Sequence, residues 1–147
     1  MKNSDFSLVG KRVNKIDGVE LVTGRAKFAA DLIFPGMLHG YAARAMVSAG
    51  RLLSVDVSGA EKIPGVKLVL TGKTLSGPNI LGILPPFDQP LLAAEEIRYA
   101  GESIAFVAAE NKRIAKKAAG LIKAEIEPFP PILSPEEALK PEARKIH

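Results

Sequence analysis

Glycine and proline punctuate this chain more than any other feature: 13 Gly and 11 Pro among 147 residues. Proline lacks the backbone donor that helices and central strands need, and glycine weakens both, so closely spaced breaks leave room only for short elements. The breaks fall at Thr23-Gly24-Arg25, Phe34-Pro35-Gly36, Pro64-Gly65, Ala100-Gly101-Glu102 and Pro128-Phe129-Pro130-Pro131. Such punctuation favours turns over the long crossovers of a regular βαβ repeat. The chain therefore reads as α+β, without internal repeats or low-complexity segments. Its length fits one domain over 1–147, with residues 1–16 a polar, basic and poorly structured lead-in.

Between the breaks, hydrophobic periodicity sets the elements. A strand-like piece lies around Lys27-Phe28-Ala29, and Met37 to Arg44 reads as a strand. Arg51 to Val57 alternates, with Leu53, Val55 and Val57 on one face and Leu52, Ser54 and Asp56 on the other. Ser58 is placed to cap a short helix, Gly59 to Ile63, with Glu61 at capping-box spacing. Val66 to Leu70 is a β-branched, apolar strand, and Leu75 to Gln89 a long loop. Ile97-Arg98-Tyr99 and Ile104 to Ala109 are strands, and the second is apolar throughout, as for a central strand buried on both faces. Asn111 caps a helix on which Ile114, Ala118, Leu121 and Ile122 recur at helical spacing. Lys123 to Glu127 is a strand, and Ser134 opens a last short helix, Pro135 to Leu139, with Glu137 in capping-box register.

Composition narrows the chemistry. The chain has no Cys, which removes disulfides, thiolate metal sites and a cysteine nucleophile. Two His, His39 and His147, cannot build a His-rich metal site alone, and His39 reads as a half-buried structural residue of its strand. Net charge is +4, but acidic and basic residues are interspersed. The densest basic cluster, Lys112, Arg113, Lys116, Lys117 and Lys123, reads as a solvated helix face. The start lacks an apolar stretch behind a charged head, and no apolar run approaches a membrane span of ~18 residues, so a soluble cytoplasmic protein is expected.

The motifs mostly dissolve on inspection. Gly65 to Thr74 ends in Gly-Lys-Thr like a phosphate-binding loop, but six residues separate the two glycines where the cradle needs four, so Gly72-Lys73-Thr74 reads as a turn. Glu95-Glu96, Glu125 with Glu127, and Glu136-Glu137 read as surface carboxylates rather than an acid–base pair in one pocket. Aromatic residues are too few, and too far from basic ones, for RNA stacking.

An ordered set of strings nevertheless resembles one family. Val22-Thr23-Gly24-Arg25-Ala26-Lys27-Phe28, then Asp31 and Pro35-Gly36-Met37-Leu38, are similar to the opening of the large subunit of molybdenum hydroxylases: xanthine dehydrogenase, aldehyde oxidase and carbon monoxide dehydrogenase. The likeness continues through Val55-Asp56, Pro64-Gly65-Val66, Gln89-Pro90-Leu91-Leu92-Ala93, Arg98-Tyr99-Ala100-Gly101-Glu102-Ser103-Ile104-Ala105-Phe106-Val107-Ala108 and Glu125-Ile126-Glu127-Pro128-Phe129-Pro130. The resemblance implies an α/β hammerhead fold, a mixed sheet with two to three helices. It implies that the molybdenum contacts and the glutamate base of the family lie beyond residue 147, so no catalytic, cofactor-binding or metal residue is assigned to this chain. Molybdopterin is then expected on a partner subunit or following domain, with an iron–sulfur subunit as a second partner. Family members follow the arginine matching Arg44 with Ser-Pro and an Ala-His pair. Here Ala45-Met46-Val47-Ser48-Ala49-Gly50-Arg51 stands instead, which suggests a divergent member or a chain whose partner surface differs.

Arg98, Tyr99, Gly101 and Glu102 form the densest part of the match and are the interface or structural candidates. The implied role is non-catalytic assembly, with an exposed apolar patch where the partner packs and self-association through it when unassembled. The rival reading is an independent binding module using a basic helix over 112–123 and the Gly/Pro-rich loop 75–90. Nucleic acid is the less favoured ligand for it, and it would show salt-dependent affinity.

Overall fold

The computed structural model describes residues 7–82 and 85–146. It divides into two compact units, Met1–Pro35 and Gly36–His147. In the first, residues 7–16 carry no helix or strand. A five-residue helix, α1 (Gly18–Val22), follows where no helix was expected. Its end is closed locally, by the Thr23 hydroxyl donating to the Val19 carbonyl at 2.6 Å and by Gly24 at φ +68°. The strand-like piece around Lys27-Phe28-Ala29 is instead the approach to a 3-10 turn, Ala29–Asp31. The Asp31 carboxylate accepts the Phe28 N–H at 3.1 Å, and that bond turns the chain before a strand forms.

Among its described residues the second unit holds six strands: β1 (His39–Arg44), β2 (Gly50–Asp56), β3 (Val66–Thr71), β4 (Glu96–Ile97), β5 (Ser103–Ala109) and β6 (Lys123–Pro128). They form two antiparallel three-stranded sheets, ordered β1-β5-β3 and β4-β2-β6, not the single mixed sheet expected. The helices are α2 (Ser58–Glu61), α3 (Lys112–Ala119) and α4 (Pro135–Ala138).

β5 is central, as its apolar run implied, but not buried evenly on both faces. Ala105, Val107 and Ala109 are fully buried, and Ala115, Ala118 and Ala119 of α3 are buried where that helix packs on β1 and β5. Small side chains on both surfaces let helix and sheet approach closely. The opposite face is more open, with Phe106 37% exposed. Its ring lies over Gly40 of β1, where an added Cβ would come within 2.2 Å of it.

Three local readings are corrected. In β2 the inward residue is Leu52, while Leu53 is 46% exposed, because the register with β6 shifts between Leu52 and Ser54. An extra residue at such a bulge moves the following side chains to the other face, so the simple alternation breaks. Ser58 is not a side-chain cap. It lies inside α2, and its N–H donates to the Asp56 carboxylate at 2.9 Å. The Ile97–Tyr99 strand shrinks to Glu96–Ile97, since Tyr99 already enters a turn.

The other capping signals hold. Asn111 Oδ1 accepts the Ile114 N–H at 2.9 Å, and Ser134 Oγ accepts the Glu137 N–H at 3.2 Å. The Glu137 carboxylate returns to the Leu133 N–H, one residue earlier than the capping-box pattern. The segment 75–89 carries no helix or strand among its described residues. Its base is closed by the Asn79 side chain, which pairs twice with the Leu92 backbone at 2.7 and 2.9 Å. Gly72-Lys73-Thr74 is a turn, with Thr74 Oγ1 accepting the Thr71 N–H at 2.9 Å. Among the described residues no helix is long and apolar enough to cross a membrane.

Candidate functional site

The residues singled out in the sequence, Arg98, Tyr99, Gly101 and Glu102, come together as one tight turn between β4 and β5. Glu102 is 3% exposed, and its carboxylate accepts the Arg98 backbone N–H at 2.6 Å and the Arg98 guanidinium at 3.3 Å. The Glu102 N–H closes the turn on the Tyr99 carbonyl at 3.2 Å. Gly101 takes φ +91°, a left-handed conformation in which a side chain would be strained.

Sequence reasoning missed the other half of this arrangement. The Gly101 N–H donates to the Ala45 carbonyl at 2.7 Å, and the Ala45 N–H donates to the Glu102 carbonyl at 2.8 Å. The Arg44 guanidinium also donates to the Gly101 carbonyl, at 2.8 Å. The segment that departs from the family pattern thus begins on a buried alanine clasped by this turn. The departure itself was the signal, but it marked the place without indicating which backbone it meets.

The turn aims Tyr99, half exposed, and Arg98 into a groove of about 310 Å³, whose other wall holds Pro130, Pro131 and Leu133. Chemically the arrangement is saturated. The Glu102 carboxylate is already paired, and among the described residues no buried side-chain polar atom lacks a partner. Such a turn can hold a surface in shape but offers no free acid or base. The carboxylate pairs disperse likewise: Glu125 accepts from the Ser54 hydroxyl at 3.2 Å, Glu127 lies 3.6 Å from Arg51, and Glu96 pairs with Arg144. The basic helix expected over 112–123 is shorter. α3 stops at Ala119, and Lys123 stands on β6, so only Lys112, Arg113, Lys116 and Lys117 share the exposed helix surface.

Two antiparallel sheets with few short helices, and a saturated turn where the sequence match is densest, define the chain as a small α+β domain of the hammerhead class. The family model for the aldehyde oxidase and xanthine dehydrogenase a/b hammerhead domain matches residues 23–130, and the chain belongs to that family. It is 44% identical over 131 residues to a probable xanthine dehydrogenase subunit of Bacillus subtilis, covering 89% of this chain and 17% of that protein. It is 38% identical over 143 residues to the nicotinate dehydrogenase large molybdopterin subunit of Eubacterium barkeri, covering 97% of this chain and 33% of that one. Among solved structures, the aldehyde oxidoreductase of Desulfovibrio desulfuricans superposes with a TM-score of 0.84 at 34% identity, over 94% of this chain and 16% of its own. The chain therefore spans a third or less of the proteins it matches.

The second of these relatives is named for molybdopterin. Among the described residues no three His, Asp or Glu side chains gather where they could hold a metal, and the buried carboxylate, Glu102, is committed to Arg98. The described residues thus gather no set of metal ligands, and no chemical step is assigned to them.

Proposed function

We propose that residues 1–147 act as a single hammerhead-type domain with a non-catalytic, assembling role in a molybdopterin-dependent hydroxylase. The cofactor is carried by a partner subunit or a following domain, where it supplies the redox chemistry for hydroxylating an aldehyde or N-heterocycle. An iron–sulfur subunit is the second partner, and the complex is cytoplasmic. The observation that carries this reading is the match of residues 23–130 to the hammerhead model, with a superposition that spans nearly the whole chain. The saturated Arg98–Glu102 turn supports it, since it builds a surface rather than a reaction centre. Strongly exposed apolar residues, Met46 at 90% and Leu133 at 80%, supply area for a partner to cover, and the unassembled chain is expected to self-associate through it.

The test is co-expression of a tagged copy with a molybdopterin-binding chain and an iron–sulfur chain encoded beside it. Recovery of a stoichiometric complex that resists salt is the expected result. Purification of the tagged chain alone, under conditions in which the other two associate with each other, contradicts the proposal.

A further inference from the structure

Every open sheet has edges, and natural proteins blunt them with charge, proline, bulges or brevity, because an unpaired row of N–H and C=O groups recruits other strands. The four edge strands of the second unit are treated unequally. β4 is two residues long. β6 alternates Lys123, Glu125 and Glu127 and ends on Pro128. β3 has a register shift between Val66 and Leu68, with Lys67 between them paired to Glu110 at 2.8 Å. β1 is different: from His39 to Ala43 it runs in regular register with β5, without Lys, Asp, Glu or Pro, and its bulge and its Arg44 come only at the last step.

The unblunted edge borders a groove of about 740 Å³ whose lining includes the apolar residues Ile104, Ile122 and Met46 and the ring of Tyr41. Among the described residues two cations, Arg44 and Lys116, line it, and no acidic residue does. Arg44 donates one guanidinium N–H to the Gly101 carbonyl but keeps its charge unpaired, and among the described residues neither cation forms an ion pair with a carboxylate. We infer that β1 is a strand-addition site, taking an extended segment of another polypeptide with apolar side chains at alternate positions and acidic residues at its ends. Main-chain bonds to the β1 edge would give the affinity, and the two cations the preference for acidic ends. This inference goes beyond the assembly proposed above and stands or falls separately, since it concerns one strand and uses no molybdenum protein.

The test titrates the 147-residue chain with a short synthetic peptide of alternating Val and Thr capped by Glu at both ends, followed by amide NMR. Amide signals of residues 39–44 are expected to shift while those of 123–128 do not, and a proline at the peptide's centre should abolish the effect. Lys-capped peptide should bind at least about threefold more weakly, the size of one exposed charge pair, and Lys116→Glu should narrow or reverse that preference. Equal shifts on β3 and β6, no preference between the two caps, or β1 signals that change with protein concentration alone would each overturn the inference, the last in favour of pairing between two copies.

Discussion

Glu102 joins two demands in one side chain: it is nearly fully buried, and it holds both the backbone and the guanidinium of Arg98. Glu102→Ala should cost about 2 kcal/mol, because a part-buried backbone donor loses its acceptor, and Glu102→Gln should recover about half by restoring one. Urea unfolding followed by circular dichroism measures both. Gly72 has a different reason for its identity. A Cβ there would sit 2.7 Å from the Leu92 carbonyl oxygen and 2.8 Å from that of Ala93, both rigid backbone atoms. Gly72→Ala should therefore cost about 2 kcal/mol in the same assay, while the neighbouring Lys73→Ala changes stability by less than about 0.5 kcal/mol. A nucleotide-binding role would reverse that order of importance in a binding assay. At Asp56, hydrogen bonds from the Ser58 hydroxyl and N–H hold the carboxyl below its ordinary value, with Lys123 and Lys62 adding to the effect. A carboxyl lowered on folding stabilises the native state above its unfolded pKa, and that contribution fades as pH falls through the folded one. Asp56→Asn should thus show a shallower acid-side loss of stability than the parent, with the two curves separating at neutral pH and converging in strong acid. Urea midpoints across that range provide the comparison.

At the scale of elements, legibility in the sequence followed the range of the interactions that decide each one. The α3 cap was readable because Asn111 and Ile114 are three residues apart, and removing it as Asn111→Ala should cost about 1 kcal/mol, measured by thermal unfolding. The Ser134 cap and the Gly101 turn were readable for the same reason. The burial of Leu52 in place of Leu53 was not, since the bulge that sets it exists only against β6, some seventy residues away. The shortened β4 also depends on remote backbone, because Ala45 pairs with both Gly101 and Glu102. α1 lacks both an N-terminal side-chain cap and buried residues, so periodicity had nothing to register there. The candidate site was half legible on these terms: its four residues lie within one short string, while Arg44 and Ala45 reach it across 57 residues of chain.

For the whole molecule, the composition that removes thiolate and His-rich metal sites takes a new meaning from the family relation. A chain with no Cys and two His can serve an oxidoreductase if other segments carry the redox groups. Its small share of each matched relative fits one part of a larger assembly. The central claim is that this part assembles without holding the cofactor, and elemental analysis tests it most directly. Molybdenum is measured in the chain purified alone from molybdopterin-producing cells and in the complex recovered by co-expression. The account predicts no molybdenum above background in the chain alone and about one atom per complex. Molybdenum retained at a stoichiometric level by the chain alone would contradict it.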